Sequence, residues 1–270
     1  MSIKFYRPLA LCLLAVLCVA EPGLALADTN LRDGGEGVVV KVVDGDTLVL
    51  SDGRSVRLVG IQAPKLPLGR KHIRKQPFAE RSRRALEELT LGKTLRLSYG
   101  GREQDRYHRA LAHLHTPGGT WVQGRLLELG LARVYSFPDN RARVAEMLML
   151  EARARAEKTG IWGHTFYTIR GVLKTETYDI DTFQVVSGVV HNAARVRGRV
   201  YLNFAEDWRR DFTVTISGKH ARAFAASGVD MKIWPASWVG KRLRVRGWIY
   251  WRNGPMIDAT HPEQIEVLDE

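Results

Sequence analysis

The 270-residue sequence holds only two cysteines, Cys12 and Cys18, and both fall within its first 27 residues. Beyond them the chain has none, so disulfide bonding and thiolate metal ligation are excluded there. No apolar run reaches the ~18 residues that a membrane-spanning helix needs. Low-complexity tracts and sequence-level repeats are also missing. Acidic residues are the minority: Lys and Arg number 41 against 29 Asp and Glu, for a net charge of +12. The excess lies mainly in 28–165, at +8, with +3 in 166–270. A basic chain attracts polyanions, whether nucleic acid, anionic headgroups or acidic polysaccharide, and charge alone does not choose among them.

The opening segment is organised as an export signal. Lys4 and Arg7 precede the apolar run Leu9 to Ala20, and Ala25-Leu26-Ala27 supplies a small-residue cleavage site. Removal of 1–27 starts the mature chain at Asp28, and the expected location is periplasmic or extracellular. Each cysteine follows a leucine rather than a small residue, which argues against a lipid anchor. The remainder is long enough for two domains.

What is present is organised around Val38 to Lys65. Val38 to Val43, Thr47 to Leu50 and Val56 to Ile61 are β-branched or apolar runs, separated by Asp44-Gly45 and Asp52-Gly53. Asp-Gly pairs between such runs predict hairpins, hence a three-stranded meander. Asp44 and Asp46 flank the first turn and Arg57 lies on the third strand, a combination suited to a metal and a phosphate. Turn aspartates commonly accept backbone N–H bonds, and that is the reading for Asp44 and Asp52. Gln62 to Pro77 reads as a loop, with three prolines and a basic cluster that is either solvated or tracks phosphates.

Phe78 to Leu89 predicts a helix, Thr94 to Tyr99 and Ala110 to His115 strands, Trp121 to Leu129 a short helix, and Arg141 to Lys158 a longer one. Five strands with an inserted helix make an OB-type β-barrel. His108, His113 and His115 read as surface or barrel-wall residues, since no further ligand stands near them in sequence. The second half has strand-like runs at Phe183 to Val190, Arg199 to Phe204, Asp211 to Ile216, Lys241 to Ile249 and Pro255 to Ala259, a short helix at His220 to Ala226, and an Asn253-Gly254 hairpin turn. The expected organisation is a first domain over 28–165, a linker over 166–182 and a second, smaller OB-like barrel over 183–270. The fold class is therefore mainly β with helices. Trp208, Trp234, Trp238, Trp248 and Trp251 are interleaved with arginines and lysine. That pattern suits single-stranded nucleic acid on an OB-like sheet, but most of these rings, Trp248 among them, are expected in the core.

The run Asp44-Gly45-Asp46-Thr47, then Val56-Arg57-Leu58 and Gly60-Ile61 before Ala63-Pro64, resembles the staphylococcal nuclease (thermonuclease) family. The likeness continues through Asp105 to Ala112 and Gly130 to Val134, and ends at Gly160-Ile161-Trp162, about half the chain. The resemblance implies phosphodiester hydrolysis of DNA or RNA, with calcium held by two aspartates and a carbonyl, a glutamate assisting water, and two arginines on the phosphate. It assigns Asp46 as a metal ligand, Arg57 and Arg109 as the catalytic arginines, and Arg106 and Tyr107 as substrate contacts. Gln62 stands where the second metal aspartate is expected, a neutral and weaker ligand. Lys65 stands where the glutamate is expected. Its –NH₃⁺ has no acceptor for a water proton, so it can contact substrate but is a poor base. Local charge thereby rises by three units, which weakens any calcium site.

Three readings follow. Another carboxylate (Asp44, Glu80 or Asp105) helps the water; or Lys65 takes the metal's place; or the barrel is a catalytically inactive binder of nucleic acid or another polyanion of the cell envelope.

Overall fold

The computed structural model describes residues 31–268 except 71–73, 176–178, 208 and 229–233. The expected export segment, Lys71, His72 and Trp208 lie outside the described residues. The first unit is a closed five-stranded barrel ordered β1-β2-β3-β6-β5. Its strands are β1 (Arg32–Asp44), β2 (Thr47–Leu50), β3 (Ser55–Leu58), β5 (Thr94–Tyr99) and β6 (Ala110–His115); a short β4 (Ile61–Gln62) follows β3. β1 begins six residues before the β-branched run because its first half pairs with β5. Most side chains there are exposed on both faces, so no alternation marks them.

Helix α1 (Ala79–Thr90) enters between β4 and β5, and α2 (Val122–Glu128) follows β6. A short β7 (Arg133–Val134) pairs with β4, ahead of α3 (Val144–Ala156). The barrel core gathers the inward residues of the meander, among them Val39, Leu48, Leu50, Val56 and Leu58, against Leu86, Leu126 and Met147 of the helices. Burial of these apolar side chains drives closure.

The second unit has its own core around Val186, Leu202, Phe212, Val214, Phe224 and Ile257. Its strands are β8 (Arg170–Gly171), β9 (Phe183–Val189), β10 (Asn192–Val196), β11 (Arg199–Asn203), β12 (Thr213–Ile216), β13 (Arg242–Trp248), β14 (Tyr250–Trp251), β15 (Pro255–Asp258) and β16 (Ile265–Leu268), with α4 (Gly218–Ala226) after β12. They form two sheets, β10-β11-β12-β15-β14 and β16-β13-β9-β8. Part of the expected linker is built in: β8 pairs parallel to β9, Val172 sits in the core, and Tyr167 Oη donates to Pro77 O at 2.8 Å. Trp234 and Trp238 are buried, as expected, but Trp248 is 48% exposed. Strand alternation explains the difference. Trp248 shares a face with Arg244 and Arg246, not with the core residues Leu243 and Val245.

That second face of β13 meets the first unit. Arg246 is buried and donates to both carboxylate oxygens of Glu151 on α3 at 3.0 Å. Glu151 also accepts from Val134 N and Arg155. Arg133 Nη1 donates to Phe183 O at 3.0 Å, Arg141 forks onto Glu263, and Ser136 Oγ contacts His261 Nε2 at 2.7 Å. Breaking a buried pair leaves the other charge unmatched. Arg246→Ala is therefore expected to lower stability by about 3–5 kcal/mol in urea unfolding, and Arg246→Lys by less.

Burial pushes the His113 and His261 imidazoles down, to about 3 and about 4 from the ordinary 6.5. Both are neutral when folded, whereas the unfolded chain takes up protons below 6.5. Their contribution to stability is thus full above pH 6.5 and falls as pH drops, by about 1.4 kcal/mol per unit for each histidine. Urea midpoints across pH 7 to 4 check this, and His113→Asn is expected to flatten the profile.

Candidate active site

The tight turn between β1 and β2 puts Asp46 in the interior, 1% exposed. Gly45 makes that possible: a Cβ there would lie 2.6 Å from Ser82 Cβ and 2.7 Å from Ala63 Cβ. The Asp46 carboxylate is fully engaged. Thr47 Oγ1 donates to Oδ1 at 3.1 Å, and Oδ2 accepts from Ala63 N at 2.9 Å and Lys65 Nζ at 3.3 Å, with Arg57 Nη1 at 3.2 Å. Burial alone pushes this carboxyl up, but Arg57 and then Lys65 outweigh it and hold it at about 2. Asp44 is raised, first by burial and then by Asp46, and its Oδ1 accepts from Gly45 N at 2.9 Å. Asp52 likewise accepts from Arg54 N. Both turn aspartates do what was expected of them.

Lys65 is fixed at its backbone by two bonds with Gln76, from Lys65 N to Oε1 and from Gln76 N to Lys65 O. Burial lowers its pKa, while Asp46 opposes the shift. Asp44, Asp46, Arg57 and Lys65 form a charge cluster with no net charge.

Arg57 connects this cluster to a cleft of about 440 Å³. Its Nη1 donates to Asp46 O and Leu58 O, and its Nη2 to Ile61 O at 2.7 Å. Nε–H and one Nη2–H have no acceptor among the described residues. Arg102, Arg106, Arg109, Asp105 and Asp139 line the same cleft; Asp46 and Lys65 do not. Arg109 is anchored by Asp105, Nε at 2.8 Å and Nη2 at 2.6 Å. The same carboxylate accepts from Tyr107 N and Arg109 N. Burial works to raise the Asp105 carboxyl, but the Arg109 side chain and these N–H groups hold it down, ionised. Tyr107 is 62% exposed with the Arg106 and Arg109 guanidinia 4.9 and 5.6 Å from its ring.

The barrel thus brings Arg57, Arg109, Arg106 and Tyr107 together, and sets Lys65 against Asp46. Gln62, expected as a possible metal ligand, faces Arg133. Its Oε1 accepts from Arg133 Nη2 at 3.1 Å, because β4 pairs with β7 at that residue. Glu80 pairs with Lys75 and Arg83 and is not among the cleft's lining residues. Asp139 was missed. Its carboxylate has no ion-pair partner among the described residues. Gly101 lets its loop lie close, since a Cβ there would be 2.0 Å from Asp139 O. An isolated aspartate after Pro138 carries no sequence signal of its position.

Comparison with known proteins fits this barrel. A family model described as "Staphylococcal nuclease homologue" matches residues 55–164. Protein ParB of Escherichia coli is 35% identical over 160 residues, which cover 55% of this chain and 80% of that protein. The chain belongs to the staphylococcal nuclease family. An uncharacterized endonuclease of Escherichia coli O157:H7 is 36% identical over 129 residues, 47% of this chain and 76% of its own. The thermonuclease of Staphylococcus hyicus is 26% identical over 129 residues, 47% and 75% of the two chains. Both named nucleases thus cover less than half of this chain.

Nucleases of the family use calcium. The donors here do not fit it. Calcium takes six to eight oxygens, yet the Asp46 carboxylate already holds three hydrogen-bond donors and the Arg57 ion pair, Gln62 Oε1 is on Arg133, and one of the donors is an ammonium. Among the described residues no cluster of three His, Cys, Asp or Glu forms. The melting temperature is therefore expected to be the same in calcium and in chelator. Lys65→Glu replaces the ammonium with a third carboxylate. This variant is expected to melt lower in chelator and to recover with calcium, as scanning calorimetry would show.

Proposed function

We propose that the protein is a nuclease that hydrolyses phosphodiesters of nucleic acid in the Arg57–Arg109 cleft without a bound metal. The observation that carries this is the shared cleft of Arg57 and Arg109, two guanidinium groups that stay charged at any working pH. The relatives named as endonucleases and thermonuclease support the reaction class. Guanidinium forks stabilise the negative charge that gathers on the phosphoryl oxygens as water attacks.

The water oxygen bonds to phosphorus as the P–O ester bond breaks. Asp105 is committed to Arg109, which leaves Asp139 as the cleft carboxylate that takes the water proton. The departing oxygen takes a proton from solvent. Lys65 does not act as base. Its ammonium holds Asp46 ionised, and Asp46 in turn fixes Arg57. Arg106 and Tyr107 contact the flanking substrate at the cleft wall.

A second reading is favoured by Lys65 itself, a cation where the resembled family places its base. In that reading the same cleft binds nucleic acid, or another polyanion of the cell envelope, and cuts nothing. The leader-like start supports export, with N-terminal mass determination of the secreted product expected to give Asp28.

Nuclease assays on single-stranded and duplex DNA and RNA separate the readings. Cutting is expected to persist in chelator. Arg109→Ala is expected to reduce it by about 10²–10³-fold, and Asp139→Asn by about 10²-fold or more. Salt-sensitive binding with no cutting under any condition would establish the binder and retire the enzyme. Cutting that needs calcium would overturn the metal-free assignment.

A further inference from the structure

The outer face of the five-stranded sheet in the second unit is an open cleft of about 450 Å³. Tyr201 stands at its centre, opposite Ala194 on β10 and Thr215 on β12. Tyr250 flanks it on β14, opposite Met256. The charges favour anions: Arg199 is held by Asp258 at 3.0 Å, and the Arg252 guanidinium has no acceptor among the described residues. Asparagines and threonines fill the remaining wall. Aromatic faces, free guanidinium and neutral hydrogen-bonding groups on one sheet are what unpaired bases and their phosphates require.

A third cleft, of about 290 Å³, shares walls with both: Tyr135 and Phe137 belong also to the Arg57–Arg109 cleft, and Tyr250 belongs also to the sheet face. Its lining includes Trp248, exposed yet pinned by a 2.9 Å hydrogen bond from Nε1 to Tyr135 Oη. Tyr135 in turn packs edge-on to Phe137 and Phe183, with centroids 4.7 and 4.9 Å away. The buried Arg246–Glu151 pair and the Arg133–Phe183 bond fix the two units across this junction. Aromatic residues therefore line all three clefts, with Trp248 tied to Tyr135 between the two units.

We propose that this sheet face is a second binding site for single-stranded nucleic acid, holding the strand whose scissile phosphate lies between Arg57 and Arg109. The inference rests on the nucleic-acid reading of the first cleft. Stacking on Tyr201, Tyr250 and Trp248 reads any base, so the site selects strandedness and length rather than sequence. Paired bases present no free faces to these rings, so a duplex gains nothing from them.

Fluorescence anisotropy on the full chain tests this with cleavage-resistant oligonucleotides: phosphorothioate oligo-dT of about 5 and about 20 nucleotides, 2′-O-methyl oligo-U of the longer length, and a duplex. Tyr201→Ala and Arg252→Gln are expected to weaken the long single strands about tenfold or more. The short strand and the duplex should be unaffected, and Tyr201→Phe should bind as wild type. Arg109→Ala should weaken all probes. A loss confined to oligo-dT or to oligo-U would support the site and assign it to DNA or RNA. Wild-type affinity of both sheet-face variants for both long strands would overturn it, even with nuclease activity intact. Length-dependent binding lost in these variants would uphold it even if the chain cuts nothing.

Discussion

A carboxylate buried in the turn between two strands can be kept ionised only if the chain surrounds it with donors. Asp46 is that carboxylate, and four separate parts of the first unit converge to satisfy it: the start of β2 through Thr47, β3 through Arg57, the β4 exit through Ala63, and the following loop through Lys65. The same ties shape the cleft. Arg57 is held by Asp46 on one side and by the carbonyls of Leu58 and Ile61, so its remaining N–H groups have a fixed position. Because Lys65 completes a neutral cluster, charge available to a ligand moves off Asp46 and onto the cleft arginines. The local chemistry is then governed by anion recognition rather than cation recognition.

A second constraint links this site to the rest of the chain. Gln62 and Arg133 are neighbours across the short β4–β7 pair, and Arg133 continues to Phe183 O at the start of β9. The residue next to Ile61, whose carbonyl accepts from Arg57, is thereby bonded into the junction of the two units. Arg246 and Glu151 fix the same junction a short way along, with Arg155 and Glu266 sharing the charge. Such an interface is polar and held by directional charge pairs, which specifies one orientation more than an apolar contact of the same size would. The cleft and the sheet face thus hold a fixed relation.

The barrel was legible because its signals are local. Two Asp-Gly turns between β-branched runs fix the meander, and the apolar spacing of Phe78 to Leu89 fixes the helix to within a residue. The family motifs carry Arg57, Arg109, Arg106 and Tyr107, and the barrel brings these four residues to one cleft. The bond between Gln62 and Arg133 is not legible, because the two are 71 residues apart and nothing in the local pattern announces the pair. Asp139 was missed for the same reason. Trp248 was misjudged because β13 is covered on both faces, by its own core and by α3. Strand periodicity gives the two faces but does not say where the cover on one of them ends. β10 and β16 escaped notice because each has few fully buried residues, so alternation is faint.

The Asp46–Lys65 cluster and the sheet-face cleft have a common logic. If the cleft of Arg57 and Arg109 is a nuclease site, the lack of acidic ligands removes a local source of transition-state stabilisation that two arginines do not fully replace. Binding made far from the reacting bond can offset part of that loss, provided it holds the substrate in the reactive position. A rigid junction is the condition for this, since a strand held on a swinging domain would gain affinity without alignment. Here the junction is fixed by buried charge pairs, and Tyr135 and Phe137 wall both the Arg57–Arg109 cleft and the cleft beside it. In a nuclease with this site, the second unit would therefore act on the rate of cutting as well as on affinity. In a binder it would act on affinity alone.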